Sequence, residues 1–263
     1  MSGKKRRLNR IFNKKTGRCV LAPIDHGIWS GPIPGIENPR KVLADVLAGK
    51  PDAVLLNPGY VRDVYESISP DIGLIVRVSM GTELVNGADQ EYIFSSVERA
   101  LRLDADGIAV TIYPQGSGAH NAIAALGHII DIAESYELPV IAEFLPLDHV
   151  DWNIIAHMAR IGYELGADIV KTTYSGDIDS YKQVVERCPT PIIVAGGDPV
   201  SEPEEVVKMA FEAVMAGAAG TAIGRNTWQN SDPAAMVAAI CKAVHEKDLD
   251  AAKKGVSGIR FIV

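Results

Sequence analysis

Cysteine is scarce in this chain. Cys19, Cys188 and Cys241 are the only three among 263 residues. They are odd in number, far apart and without a Cys-x-x-Cys pair, which argues against a disulfide framework or a thiolate metal site and reads as reduced core residues. No run is long and apolar enough to span a bilayer, and the charged N-terminus leads into no apolar signal segment, so a soluble cytoplasmic protein without a membrane partner is expected. The histidines, His26, His120, His128, His149, His157 and His245, lack zinc-ligand spacing, and no metal or other cofactor is implied. Acidic residues are missing from the first 24 positions, where Lys4, Lys5, Arg6, Arg7, Arg10, Lys14, Lys15 and Arg18 gather. The formal net charge is nevertheless −7, so the rest of the chain carries about −15, which excludes nucleic acid as a partner for the body. The basic stretch, residues 1–18, is read as a solvated or subunit-contacting extension.

The chain does have ample apolar content, 47% hydrophobic against 22% charged, enough for one large core. Short β-rich runs at 19–25, 53–57, 74–79, 107–113, 139–145, 168–173, 191–195 and 220–224 alternate with helical patterns, among them 39–48, 90–103, 121–136, 152–165 and 179–187. Ser201 and Glu204 have capping-box spacing, and Asp232-Pro233 is an N-cap followed by a first-turn proline. Eight βα units with no low-complexity linker indicate an α/β fold, a single-domain TIM (β/α)8 barrel over 19–250; an open doubly wound sheet, the competitor, uses fewer strands. Residues 251–263 form a tail whose Ile259, Phe261, Ile262 and Val263 suit packing on a neighbour as well as a loose end.

Polar residues recur on one parity of the strands. Asp25, Asn57, Arg77, Ser79, Tyr113, Glu143, Lys171 and Thr173 share faces with Leu21, Leu55, Ile75, Ala109, Ile141 and Ile169, at the strands' carboxyl ends, where barrel active sites lie. Lys171, in Asp168-Ile-Val-Lys-Thr-Thr, stands out because burying an amine favours its neutral, nucleophilic form. The structural alternative is a lysine that reaches solvent or pairs with a carboxylate. After the seventh and eighth strands come Ala195-Gly196-Gly197-Asp198 and Gly224-Arg225-Asn226. Glycines let backbone N–H groups approach a phosphate, a short helix after the eighth strand aims its dipole there, and Arg225 adds a charge-assisted bond. Asp148 and His149, on the loop after the fifth strand, are weaker candidates.

Ala22-Pro23-Ile24-Asp25-His26-Gly27, Val170-Lys171-Thr172, Ala195-Gly196-Gly197 and Gly224-Arg225-Asn226 resemble, in order and across residues 9–246, the archaeal-type class I aldolases. That family includes fructose-bisphosphate aldolases and 2-amino-3,7-dideoxy-D-threo-hept-6-ulosonate synthases. The resemblance implies an imine between Lys171 and a ketose phosphate such as dihydroxyacetone phosphate, with Asp25 as a proton-transfer residue. It also implies a phosphate held by Gly196, Gly197, Gly224 and Arg225, and a homo-oligomeric ring, often a decamer. One position departs: the family's tyrosine at the end of strand 5 is Leu145, which transfers no proton. Glu143 is the first substitute, with Tyr113 and Tyr174 in reserve, and an ion pair with Lys171 or Arg77 is its structural alternative. Arg77, Ser79, Asn57, His26 and Tyr113 complete the expected substrate contacts, with Arg77 assigned to a carboxylate-bearing aldehyde such as aspartate semialdehyde, alongside glyceraldehyde 3-phosphate as acceptor. Alternatives are coenzyme A-dependent thiolase-type acyl transfer on a phosphorylated diketone, a flavin or pyridoxal phosphate barrel, and a non-catalytic sugar-phosphate-binding ring protein.

Overall fold

The computed structural model describes residues 2–85, 92–148 and 151–262. Eight parallel strands close into a barrel: β1 (Cys19–Pro23), β2 (Ala53–Leu56), β3 (Gly73–Arg77), β4 (Gly107–Ile112), β5 (Val140–Phe144), β6 (Ile169–Thr172), β7 (Ile192–Ala195) and β8 (Gly220–Ala222). Each pairs with its successor in sequence, and β8 closes on β1 through Cys19↔Gly220 and Leu21↔Ala222. All eight are buried along their length, as expected of a parallel sheet covered on both faces. The alternation in the sequence sorts those faces. Leu21, Leu55, Ile75, Ala109, Ile141, Ile169 and Ile193 fill the interior. Val54, Leu56, Val76, Ile108, Val110, Ala142 and Val170 meet the helices.

The outer layer contains α2 (Pro39–Ala48), α3 (Pro58–Val64), α4 (Val97–Arg102), α5 (Ala119–Ser135), α6 (Trp152–Glu164), α7 (Ile178–Glu186), α8 (Pro203–Met215) and α10 (Pro233–Cys241), with the one-turn α9 (Arg225–Trp228) after β8. Their starts show local causes: Asn38, Ser96, Asp177 and Asp232 each accept a hydrogen bond from a first-turn N–H. Two helix expectations are corrected. The pattern at 90–103 yields a helix only from Val97, because Tyr92–Ile93 instead pairs antiparallel with Ser79–Met80. The Ser201–Glu204 capping box does not form; Glu202 occupies the cap position without a side-chain bond and Pro203 opens the helix.

The basic N-terminal stretch is not simply solvated. It forms α1 (Ser2–Ile11), whose end plugs the barrel's N-terminal mouth with fully buried Ile11. Aspartates draw it there. Asp52, Asp106 and Asp168 precede alternate strands and accept the backbone N–H of Val20, Leu74 and Val140 on the strand before. Their remaining capacity takes Asn13 and His245, Arg10 and Lys4 respectively. Gly73 and Gly107 leave the room: a Cβ on Gly73 would stand 2.9 Å from the Arg10 carbonyl, and one on Gly107 3.4 Å from Ile11. The C-terminal segment also folds back on its own barrel. In α11 (Leu249–Gly255), Ala252 is buried against the α8–α10 cluster, and Phe261 bridges Asn230.

Candidate active site

The carboxyl ends of the strands surround a cavity of about 540 Å³. Its floor is a charged cluster built by strand parity. Lys171 on β6 and Glu143 on β5 are register partners, and Lys171 Nζ donates to Glu143 Oε1. The other oxygen, Oε2, accepts from Arg77 Nη2 at 2.6 Å and from Thr111 Oγ1 at 3.0 Å. Arg77 also donates through Nε to Asp25 Oδ2 at 2.8 Å and through Nη1 to Thr111 Oγ1 at 2.6 Å. Two cations and two anions, each under a tenth exposed, therefore balance one another, which is what makes their burial tolerable.

The electrostatics of the two carboxylates follow from this packing. Burial pushes Glu143 up, but the Lys171 and Arg77 charges outweigh it and hold the carboxyl at about 2. Asp25 behaves alike: burial raises it, and Arg77, then His26, bring it well below the usual carboxylate range. Both are thus acceptors at neutral pH. His26 Nδ1 stands 3.6 Å from Asp25 Oδ1, and its ring meets Trp228 edge-on at 5.7 Å between centroids.

The turns after β7 and β8 form the adjoining wall. Gly197 has φ +69°, and a Cβ on Gly196 would come within 2.8 Å of Ile223, so both positions favour glycine. Asn226, 1% exposed, ties the turns together: its amide donates to the Gly196 and Asp198 carbonyls at 2.9 Å and accepts the Val200 N–H at 3.0 Å. Arg225 reaches exposed Asp198 at 2.8 Å, a partner that an entering anion can replace.

Asp25, His26, Arg77, Tyr113, Glu143, Lys171, Gly196, Gly197, Gly224 and Arg225 all line this one cavity. Asn57 and Ser79 are placed elsewhere. Asn57 spends its amide on the Asp25 carbonyl, and fully buried Ser79 accepts the Thr111 N–H. Arg77 differs from expectation in its work. At 2% exposure, with its guanidinium engaged by Asp25, Thr111 and Glu143, it holds carboxylates of the protein itself instead of presenting a cation to a substrate carboxylate. Tyr174 faces away: its hydroxyl donates to Glu212 on α8. Asp148 is not among the cavity-lining residues, and His149 lies outside the described residues. Thr111, Trp29 and Glu83 had no role in the sequence reading, and Asn226 entered it only as a member of the Gly224-Arg225-Asn226 turn. Thr111 was legible as an interior-face residue; the loop residues carried no periodic signal.

Comparison with known proteins places this geometry. The profile of the DeoC/LacD family aldolases matches residues 19–230. The 2-amino-3,7-dideoxy-D-threo-hept-6-ulosonate synthase 1 of Archaeoglobus fulgidus is 36% identical over 93% of this chain and 92% of its own. The 2-amino-4,5-dihydroxy-6-oxo-7-(phosphonooxy)heptanoate synthase of Streptomyces griseus is 28% identical over 96% and 94%. Among solved structures, an archaeal fructose-1,6-bisphosphate aldolase with its catalytic lysine covalently bound to the carbinolamine intermediate superimposes with a TM-score of 0.84, at 28% identity, over 92% of this chain and 99% of that one. The chain belongs to the DeoC/LacD family of aldolases.

Proposed function

We propose that this protein is a metal-independent class I aldolase that joins a three-carbon ketose phosphate, held as an imine on Lys171, to an aldehyde carrying an amino-acid end. The observation that carries the reading is the Lys171–Glu143 contact on the floor of a cavity whose adjoining wall is two glycine turns and Arg225. The product for which the Streptomyces relative is named supports the choice of substrates. Cut between C4 and C5, where a β-hydroxyketone breaks, that heptanoate gives dihydroxyacetone phosphate and aspartate semialdehyde. The product named for the Archaeoglobus relative shares its 2-amino acid end and 6-keto position.

The residues divide the work as follows. Glu143 takes a proton from Lys171 Nζ, and the free amine adds to the donor carbonyl. The resulting acid returns the proton to the carbinolamine hydroxyl, which leaves as water and gives the protonated imine. That imine carries the same charge as the lysine it replaces, so the buried cluster stays balanced. Asp25, held ionised by Arg77 and His26, accepts the proton from the donor carbon as the enamine forms. The enamine carbon attacks the aldehyde, whose oxygen takes that proton back from Asp25, and water then adds at the imine carbon to release the product and Lys171. Arg77 and Thr111 fix both carboxylates, while Gly196, Gly197, Gly224 and Arg225 hold the phosphate. Glu143 thereby stands in for the tyrosine that Leu145 replaces.

An aldol assay in excess chelator tests this directly: the wild type retains its rate, and Lys171→Met loses ~10⁴-fold or more. Activity that chelation abolished and Lys171→Met kept would overturn it. The acyl-transfer alternative rests on Leu145 alone and predicts a requirement for coenzyme A. The proposal includes a cytoplasmic homo-oligomer, with a decameric ring as the expected size. Exposed Ile154 and Tyr163 on α6 support assembly, no described helix is long and apolar enough to cross a membrane, and light scattering measures the size.

A further inference from the structure

The cavity has two ends, one carrying Arg225 paired with Asp198 and the other carrying Glu83. One lies under β7 and β8, with Arg225 and the glycine turns. The other is formed by the segments after β1, β3 and β4, with Trp29, Glu83 and Tyr113. β3 and β7 are four strands apart in a ring of eight, so these ends face each other across the barrel mouth. For a ligand tethered at Lys171 with its phosphate beside Arg225, the Glu83 side is the end of the cavity opposite the phosphate.

That far end is built for a cation. The Glu83 N–H donates to the Trp29 carbonyl at 3.0 Å, and the Trp29 and Tyr113 rings lie 6.2 Å apart, so the Glu83 main chain is tied to the segment that carries one ring of an aromatic pair lining the same cavity. Among the described residues lining the cavity the Lys and Arg side chains are Arg77, Lys171 and Arg225. The first is held by Asp25 and Glu143, the second forms the imine, and the third belongs to the phosphate end. A second phosphate would therefore meet Glu83 with no described cation to offset it, whereas an ammonium group meets a carboxylate and two π faces.

We infer that Glu83, together with the Trp29–Tyr113 pair, selects acceptor aldehydes bearing an ammonium group and rejects phosphorylated ones. This rests on the imine reading above and deepens it. The test fixes dihydroxyacetone phosphate as donor and measures kcat/KM for aspartate semialdehyde, for succinate semialdehyde, which lacks only the ammonium group, and for glyceraldehyde 3-phosphate. The wild type favours aspartate over succinate semialdehyde by about tenfold or more; Glu83→Gln brings that ratio to within about threefold, and Glu83→Lys raises turnover of glyceraldehyde 3-phosphate about tenfold. The last result is a gain that misfolding does not produce. Ratios unchanged in both variants would overturn the role of Glu83 and leave the aldolase reading standing. A wild type inert with all three aldehydes would overturn the aldolase reading, and this inference with it.

Discussion

Lys171 and Glu143 sit opposite each other on adjacent strands, the amine on one carboxylate oxygen and the Arg77 guanidinium on the other. Glu143 thus couples the proposed nucleophile to the group that keeps Asp25 ionised, and the energetic consequences reach beyond catalysis.

Arg77 is the strut of this arrangement. Arg77→Met leaves two buried carboxylates with too few partners and should cost about 3–5 kcal/mol, because uncompensated buried charge is expensive. Arg77→Lys recovers only part, since one ammonium does not reproduce the fork that meets Asp25, Thr111 and Glu143 together. Urea unfolding at neutral pH measures both; stability equal to wild type in Arg77→Met would contradict the assignment.

The pH dependence of stability follows from Glu143. Its folded value of about 2 lies below the ordinary 4.5, so the unfolded chain takes up this proton first as pH falls. The contribution is complete above about pH 4.5 and drains away toward pH 2, with Asp25 acting in the same direction. Unfolding free energies at pH 7, 4.5 and 3 should fall with pH in the wild type. In Glu143→Gln they should start lower and fall less steeply.

The proposed phosphate wall can be tuned from its exposed side. Arg225 is occupied by Asp198, so Asp198→Asn should tighten binding of inorganic phosphate by roughly two- to fivefold, the worth of an exposed ion pair. Arg225→Met should raise KM for a phosphorylated donor more than it lowers kcat. Titration calorimetry checks the first and steady-state kinetics the second; an unchanged phosphate affinity in both variants would remove Arg225 from the site.

The plug at the opposite mouth is structural. Ile11→Ala should destabilise the barrel by about 2–4 kcal/mol, as large-to-small changes at fully buried positions do, while KM stays close to wild type. Thermal unfolding and kinetics on the same preparation separate the two.

Much of this was legible in the chain. Period-two parity placed Arg77, Glu143 and Lys171 on the inner face, because a barrel strand offers only two faces. The destinations of long side chains were less legible. Nothing local shows that Arg77 is consumed by Asp25 and Glu143, which lie 52 and 66 residues away in sequence. The 90–103 stretch read as helical throughout, but β-pairing with Ser79–Met80 takes its described start. The basic stretch read as a solvated or subunit-contacting extension because the aspartates that attract it, Asp52, Asp106 and Asp168, are gathered to one mouth only by barrel closure.

Borohydride reduction in the presence of dihydroxyacetone phosphate, followed by peptide mass spectrometry, tests the imine most directly. The account predicts one stable adduct, on the peptide containing Lys171, absent from Lys171→Met. Reduction that leaves this peptide unmodified while the phosphate is shown to bind would contradict it.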